Sequence, residues 1–304
     1  MSKPKYHINT NGELPTIISD SFTTAPFNGE YPKNTNNLTL AATIHIFYTD
    51  LTEYIIAKLY NIPGIVKLKV LITTDTKAKK AEIENFFNKT SLNYQIKVFE
   101  NIGRDIAPSL IGFKQEILKS DLFLHLHTKK SLYNQDLNNW RDDIFNKLLG
   151  SKQIASSNLK VLLSDGIGLI LPSPPDFIKE HMNWGLSSDY AHAKVLLKRS
   201  GYNLSELSPL YFPAGSMFFA KTEVIKPLIK TLNIEDFDQE SGQISGTMAH
   251  AIERSFCFFT ELAKLKWLVI KINNGHPVYY EPQYKLLSIK LLVWCKFKLK
   301  GFLK

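Results

Sequence analysis

Cysteine is scarce in this chain, with two residues, Cys257 and Cys295, among 304. Both lie in apolar surroundings without CxxC or Cys/His spacing, which argues against a disulfide framework and a cysteine-based zinc site. Long apolar runs are missing too. No stretch of about 18 or more uninterrupted apolar residues suggests a spanning helix. The opening MSKPKYHINTNGELP has no apolar core of the kind a secretory signal needs. A cytoplasmic protein is the expectation. Acidic residues are missing from the basic end: residues 284–304, YKLLSIKLLVWCKFKLKGFLK, carry six lysines and no Asp or Glu. RNP-type, zinc-finger and helix-turn-helix patterns are lacking as well, so the net charge of +9 is not read as a nucleic-acid surface.

What is present is ordinary globular composition, 44% hydrophobic and 21% charged, enough for one large α/β domain. Residues 1–38 are rich in Asn, Thr, Pro and Gly and read as an irregular arm. From residue 39 an alternating rhythm sets in. TLAATIHIFY, KLKVLITTD, YQIKVFEN and DLFLHLHT read as strands, separated by the helical segments LTEYIIAKLYNI, TKAKKAEIENFFNKT and 106–118. Such alternation predicts a mostly parallel sheet flanked by helices, with ligands held beyond the carboxyl ends of its strands. The second half predicts a strand at GIGLILPSP, a helix at YAHAKVLLKRSG, then turn, strand and helix over SPLYFPAGSMFFAKTEVIKPLIKTL. A long helix in GTMAHAIERSFCFFTELAKL and a closing strand KWLVIKI complete it. The basic tail 284–304 mixes lysine with Leu, Trp and Phe. That suits either an amphipathic helix on an anionic membrane face or a terminal helix packed on the domain, and the first is preferred.

Four polar clusters stand out. In ENIGRDIAP, Gly103 gives the turn freedom in φ, and Arg104 offers a planar fork for phosphate or carboxylate. Asn101 and Asp105 there suit sugar hydroxyls or a helix cap. In HTKKS, Lys129 and Lys130 follow His127 at a strand end, where two ammonium groups would neutralise a leaving anion. His125 alternates with His127 and shares its face, and reads as a core residue. FPAGSMFFA places the small residues Gly215 and Ser216 in a tight turn. In EDFDQESGQISGTMAHAIER, the spacing puts His250, Glu253 and Arg254 on one helix face. Asp238 and Glu240 precede that helix, and a carboxylate there would serve as general base.

ENIGRDIAP, LHLHTKKS followed by NNWR, FPAGSMFFA and the ESGQISGTMAHAIER run occur in this order and spacing. Together they resemble the rhamnan synthesis protein F family of bacterial polysaccharide glycosyltransferases, over roughly residues 41–272. The resemblance implies a GT-A-like, Rossmann-type α/β domain over 39–283 that transfers a sugar, with dTDP-rhamnose as the expected donor. It implies a lipid-linked glycan acceptor at the inner face of the cytoplasmic membrane. In that layout Tyr48, Asp50, Thr74 and Asp75 hold the nucleotide base, and the Asn101–Asp105 turn lies beside the ribose and donor sugar. Trp140, Arg141, Gly215, Ser216, His250 and Arg254 line the acceptor pocket. Glu240 is first choice for the base, ahead of Asp238 and Glu253. GT-A enzymes carry Asp-x-Asp for a divalent metal at the next strand end, a place filled here by His127-Thr128-Lys129-Lys130. A cofactor metal is therefore not expected, although His127 with a carboxylate such as Asp105 remains the alternative. Inversion at the anomeric carbon is expected, since one carboxylate base suffices. A non-catalytic nucleotide- or glycan-binding scaffold is the competing reading.

Overall fold

The computed structural model describes residues 18–19, 31, 35, 37–128, 135–179, 182–185, 187–205 and 208–284. Most of the arm 1–38, the pair Lys129–Lys130 and tail residues 285–304 lie outside these. Ten short strands are described: β1 Ile18–Ser19, β2 Thr39–His45, β3 Lys67–Thr74, β4 Tyr94–Val98, β5 Leu122–His127, β6 Ile167–Pro172, β7 Phe218–Lys221, β8 Lys266–Asn273, β9 His276–Tyr280 and β10 Gln283–Tyr284. Eight of them form one sheet in the order β4-β3-β2-β5-β7-β6-β8-β9, and β1 pairs with β10 apart from it.

The expected mostly parallel sheet is there. Strands β4, β3, β2 and β5 run parallel, because each is followed by a helical crossover that returns the chain to the same edge. Strand β7 is antiparallel to both β5 and β6, and β6 is parallel to β8. Central strands are buried on both faces, which is why β2 reads as a nearly continuous apolar run, with Leu40, Ala41, Ala42 and Ile44 almost fully buried. Asp121 ties the beginnings of two central strands together, its Oδ2 accepting from both the amide and the hydroxyl of Thr39 at 2.8 Å.

Two details depart from the sequence reading. Segment 106–118 is two short helices, Ile106–Leu110 and Lys114–Leu118. The chain turns at Gly112, where a Cβ would stand 2.2 Å from the Pro108 carbonyl oxygen. The closing strand β8 is followed by a further strand, β9, across a turn with Asn274 at φ 49° and Gly275 at φ 78°. Asn-Gly is a strong two-residue hairpin signal, and it was legible in NNGHP.

Strand order reverses at β2. The chain leaves it for β3 on one side, and β5 lies on the other. In open α/β sheets the crevice at such a switch point is where ligands bind. Helix Met248–Leu262 packs against helices Ile106–Leu110, Ser187–Arg199 and Thr222–Thr231, bringing its first turns toward that crevice. Among the described residues no helix is long and apolar enough to cross a membrane.

Candidate functional site

Beyond the ends of β2 and β5 lies a cavity of ≈ 220 Å³. Its lining mixes polar side chains, Arg104, Asp105, His127, Ser216, His250, Glu253 and Arg254, with apolar ones, among them Trp140, Ile178, Met182, Phe212 and Ile244, and includes Gly215. Six separate stretches of sequence thus meet in one place.

The turn at Gly215 and Ser216 is clamped from three directions. His127 Nε2 donates to the Gly215 carbonyl at 2.8 Å, and His125 Nδ1 donates to the Ser216 carbonyl at 2.5 Å. The Gly215 amide donates to Glu253 Oε1 at 2.8 Å. These contacts hold an uncommon backbone, since Gly215 has φ 87° and Ser216, which is not glycine, has φ 59°. Left-handed non-glycine residues cost free energy and persist only where their surroundings hold them. The facing turn repeats the device, with Gly103 at φ 66° and Arg104 at φ 59°. Gly103 also lies against packed neighbours, because a Cβ there would stand 2.6 Å from Ala107 Cβ and meet the Phe237 ring.

Asp105 is the charge at the centre. Its Oδ2 lies 3.7 Å from His125 Nε2 and 4.0 Å from His127 Nε2. Burial alone would raise its pKa, but the charges of His127, His125 and Arg104 outweigh that and pull it down to about 2. Burial lowers His125, against the pull of Asp105. Burial likewise lowers His45, at the end of β2, to about 4; its Nδ1 lies 3.0 Å from Thr73 Oγ1. His125 Nε2 faces Asp105 Oδ2, and neither atom has a hydrogen-bond partner among the described residues.

A divalent metal needs several convergent ligands. His127 Nε2 and His125 Nδ1 are spent on carbonyls, while His125 Nε2 and Asp105 Oδ2 are not. Among the described residues no group of three or more His, Cys, Asp or Glu side chains is arranged to hold an ion.

The opposite wall is the segment before helix Met248–Leu262. Gln239 forms an isolated bridge with Ile102, and Arg104 Nη1 donates to the Gln243 carbonyl at 3.1 Å. Fully buried Asp189 accepts from the Gly246 amide at 2.7 Å and from Ser245 Oγ. Arg254 Nη2 lies 3.7 Å from Asp189, and its Nε donates to the Asn183 carbonyl at 2.8 Å. Between these anchors Ile244 is 94% exposed. Burial raises the pKa of Glu240, with Arg104 opposing and Asp105 adding to the rise. Asp238 is exposed.

Of the residues expected from sequence, Arg104, Asp105, His127, Trp140, Gly215, Ser216, His250, Glu253 and Arg254 all line the cavity. Tyr48, Asp50, Thr74 and Asp75 do not line it, but lie at the ends of β2 and β3. There the amides of Phe47 and Tyr48 donate to Thr128 Oγ1 at 2.8 and 3.1 Å. Asp75 pairs with Lys79 at 2.8 Å, and that ammonium lies 3.7 Å from the Phe47 ring centroid. Arg141 turns to Asp142 at 2.8 Å. Asn101 and Gly103 form the turn behind Arg104 without lining the cavity. Lys129 and Lys130 follow Thr128 in the chain and lie outside the described residues. Sequence reasoning passed over His45, Thr128 and Asp189, and treated His125 as core. For Asp189 no local signal existed, because its partners lie 56 to 65 residues further along the chain.

Comparison with known proteins adds the following. The model of rhamnan synthesis protein F matches residues 15–264. Two curated relatives, both described as uncharacterized protein WxcX, come from Xanthomonas campestris pv. campestris strains B100 and ATCC 33913. They are 31% identical over 218 residues and 30% identical over 213, in each case 69% of this chain and 30% of the relative. The chain thus spans 30% of the length of these curated relatives. Among solved structures, the mannosyltransferase PcManGT from Pyrobaculum calidifontis, in complex with GDP-Man and Mn2+, is 12% identical. Its TM-score is 0.45, covering 84% of this chain and 59% of that one. Mannosyl-3-phosphoglycerate synthase from Rubrobacter xylanophilus is 12% identical with a TM-score of 0.33, covering 82% and 86%. Likenesses this loose carry nothing to the present chain.

Proposed function

The chain belongs to the rhamnan synthesis protein F family, and from that premise we propose that it is a polysaccharide glycosyltransferase using a nucleotide-sugar donor. The observation that carries the reading is the convergence of Arg104, Asp105, His127, His250 and Glu253 on one cavity at the switch point of the sheet. Its volume, ≈ 220 Å³, is below the on the order of 300–1,000 Å³ of pockets that enclose a drug-sized ligand. It suits one sugar ring and leaves the nucleoside outside. The base would then lie along the ends of β2 and β3, beside Tyr48, Asp50, Thr74 and Asp75.

In the transfer step an acceptor hydroxyl oxygen forms a bond to the anomeric carbon as the bond from that carbon to the diphosphate oxygen breaks. The electron pair leaves with the nucleoside diphosphate, and the hydroxyl proton passes to a carboxylate base. Arg104 would stabilise the leaving charge, with Lys129 and Lys130 kept as further candidates. Glu240 is the preferred base, because its raised pKa brings it nearer the pH at which it must accept a proton. Glu253 stands behind it, since one of its oxygens is held by the Gly215 amide. Asp238 comes third. Asp105, whose pKa is held at about 2, is a poor base and a good acceptor for sugar hydroxyls. Rhamnose as the sugar, dTDP as the carrier, a lipid-linked acceptor, inversion, independence of metal and a peripheral place on the inner membrane face are the finer parts of this proposal.

A scaffold that binds without catalysing is the second reading, favoured by how many polar groups of the cavity are spent on one another. Thermal melting against nucleoside diphosphates and nucleotide sugars, each with chelator and with Mg2+ or Mn2+, tests the proposal. A ligand that binds only the native state raises the melting temperature. Stabilisation by one nucleotide family despite chelator, with sugar transferred to an added glycan acceptor and nucleoside diphosphate released, is the expected result. Stabilisation without turnover would favour the scaffold, and stabilisation only with metal would refute the metal-free mechanism.

A further inference from the structure

Arg104 lines the cavity from a strained backbone position, yet its side chain is not free to wander. Nη1 donates to His250 Nε2 at 2.7 Å and to the Gln243 carbonyl at 3.1 Å. A guanidinium has no lone pair to offer, so the His250 nitrogen facing it must be bare. The proton of the neutral ring therefore sits on Nδ1, and Nδ1 donates to Thr247 Oγ1 at 2.7 Å. Thr247 immediately precedes helix Met248–Leu262, so one hydroxyl at a helix entry selects the tautomer that receives the arginine. The remaining donors of Arg104, on Nε and Nη2, have no hydrogen-bond partner among the described residues. A guanidinium held by one nitrogen keeps the other two for bidentate capture of an oxyanion.

We infer that His250 is a positioning residue, which in its Nδ1–H tautomer fixes Arg104 so that Nε and Nη2 are presented to a phosphate oxyanion in the cavity. Naming that anion as the diphosphate of a nucleotide donor rests on the function proposed above; the arginine–histidine coupling does not. Protonated His250 has no lone pair for Arg104 and sets a second cation against it. The groups that face the ring are Arg104 and Arg254, both positive, and Glu253 and Asp189, both negative. Burial, then Arg104, lowers the His250 pKa below its ordinary 6.5. The neutral, positioning form is thus present at neutral pH and is lost as pH falls through that lowered value.

The test uses the full chain and two readouts. Nitrogen-15 NMR of the histidine rings, with His250 assigned through His250→Gln, should show Nδ1 protonated and Nε2 bare at pH 7, and Arg104→Ala should raise the His250 pKa. Melting shifts with UDP, dTDP and GDP from pH 8 to 5 are then compared across variants. His250→Gln keeps an acceptor oxygen for Arg104 and does not titrate. It should bind like the wild type at pH 7 and show less loss in acid. His250→Ala should bind about tenfold more weakly throughout, equivalent to about 1.4 kcal/mol. A protonated Nε2, a His250 pKa indifferent to Arg104→Ala, or wild-type binding by His250→Ala would each overturn the inference. If no nucleoside diphosphate binds the wild type, the donor assignment falls, and the NMR arm alone decides the coupling.

Discussion

The two walls of the cavity are built on different plans. On one side the Gly215–Ser216 turn is gripped by side chains from strand β5 and helix Met248–Leu262, so that two carbonyls and one amide are spoken for. On the other side the segment before that helix is held at separated points, by Ile102, Arg104 and Asp189, with Ile244 standing in solvent between them. The first wall takes its geometry from the centre of the sheet. The second takes it from one backbone bridge and from the side chains of Arg104 and Asp189, each of which can be removed by one substitution. A site of this kind combines a fixed face that sets the reacting geometry with a face whose position depends on charge.

Asp189→Ala should break this contrast most severely. It removes the acceptor of Ser245 and Gly246 and takes from buried Arg254 one of the two carboxylates that lie 3.7 Å from it. Removing one member of a buried ion pair costs about 3–5 kcal/mol, readable as a lowered urea midpoint. A loss below about 1 kcal/mol would mean the second wall is not held by Asp189.

His125→Phe acts on the first wall. The ring volume is kept beside Phe123 and Phe218, while the Ser216 carbonyl loses its donor. A buried group left unsatisfied costs about 1–3 kcal/mol, so stability should fall by that amount. Because the fixed wall would shift, ligand-induced melting shifts should fall as well. An unchanged ligand response would show that the clamp does not set the site.

The pH dependence has a defined sign. His45 has a folded pKa of about 4 and an ordinary value of 6.5. Between those two pH values the unfolded chain binds more protons than the folded one, so stability is full above 6.5 and declines as pH falls toward 4. The decline should be smaller in His45→Gln. An identical acid profile in that variant would show that His45 is not the group responsible. Smallest of all, Ile244→Ser should alter stability by no more than about 0.5 kcal/mol, since the side chain is 94% exposed. Equilibrium unfolding that gave a larger loss would place Ile244 against a partner.

Much of this architecture could be read from the chain, because period and spacing are local properties. His125 and His127 alternate on a strand and both reach the same turn. His250, Glu253 and Arg254 follow helical spacing and line one cavity. Alternation of strands and helices also foretold the parallel half of the sheet. What escaped was pairing at long range. Arg104 meets His250 across 146 residues, and His125 meets Ser216 across 91. From the chain alone Arg104 was expected to bind an anion and His250 to line the pocket, with nothing to show that one holds the other. Asp189 lay unnoticed in a helix, because a buried carboxylate looks like a surface one until its partners are folded over it.

If the cavity receives the sugar of a nucleotide donor whose diphosphate rests on Arg104, a crystal soaked with the nucleoside diphosphate that gives the largest melting shift should make this visible. Phosphate oxygens should lie within hydrogen-bond distance of Arg104 Nε or Nη2, with the base at the ends of β2 and β3 beside Tyr48 and Asp75. A diphosphate bound away from Arg104, or a base seated inside the ≈ 220 Å³ cavity, would contradict it.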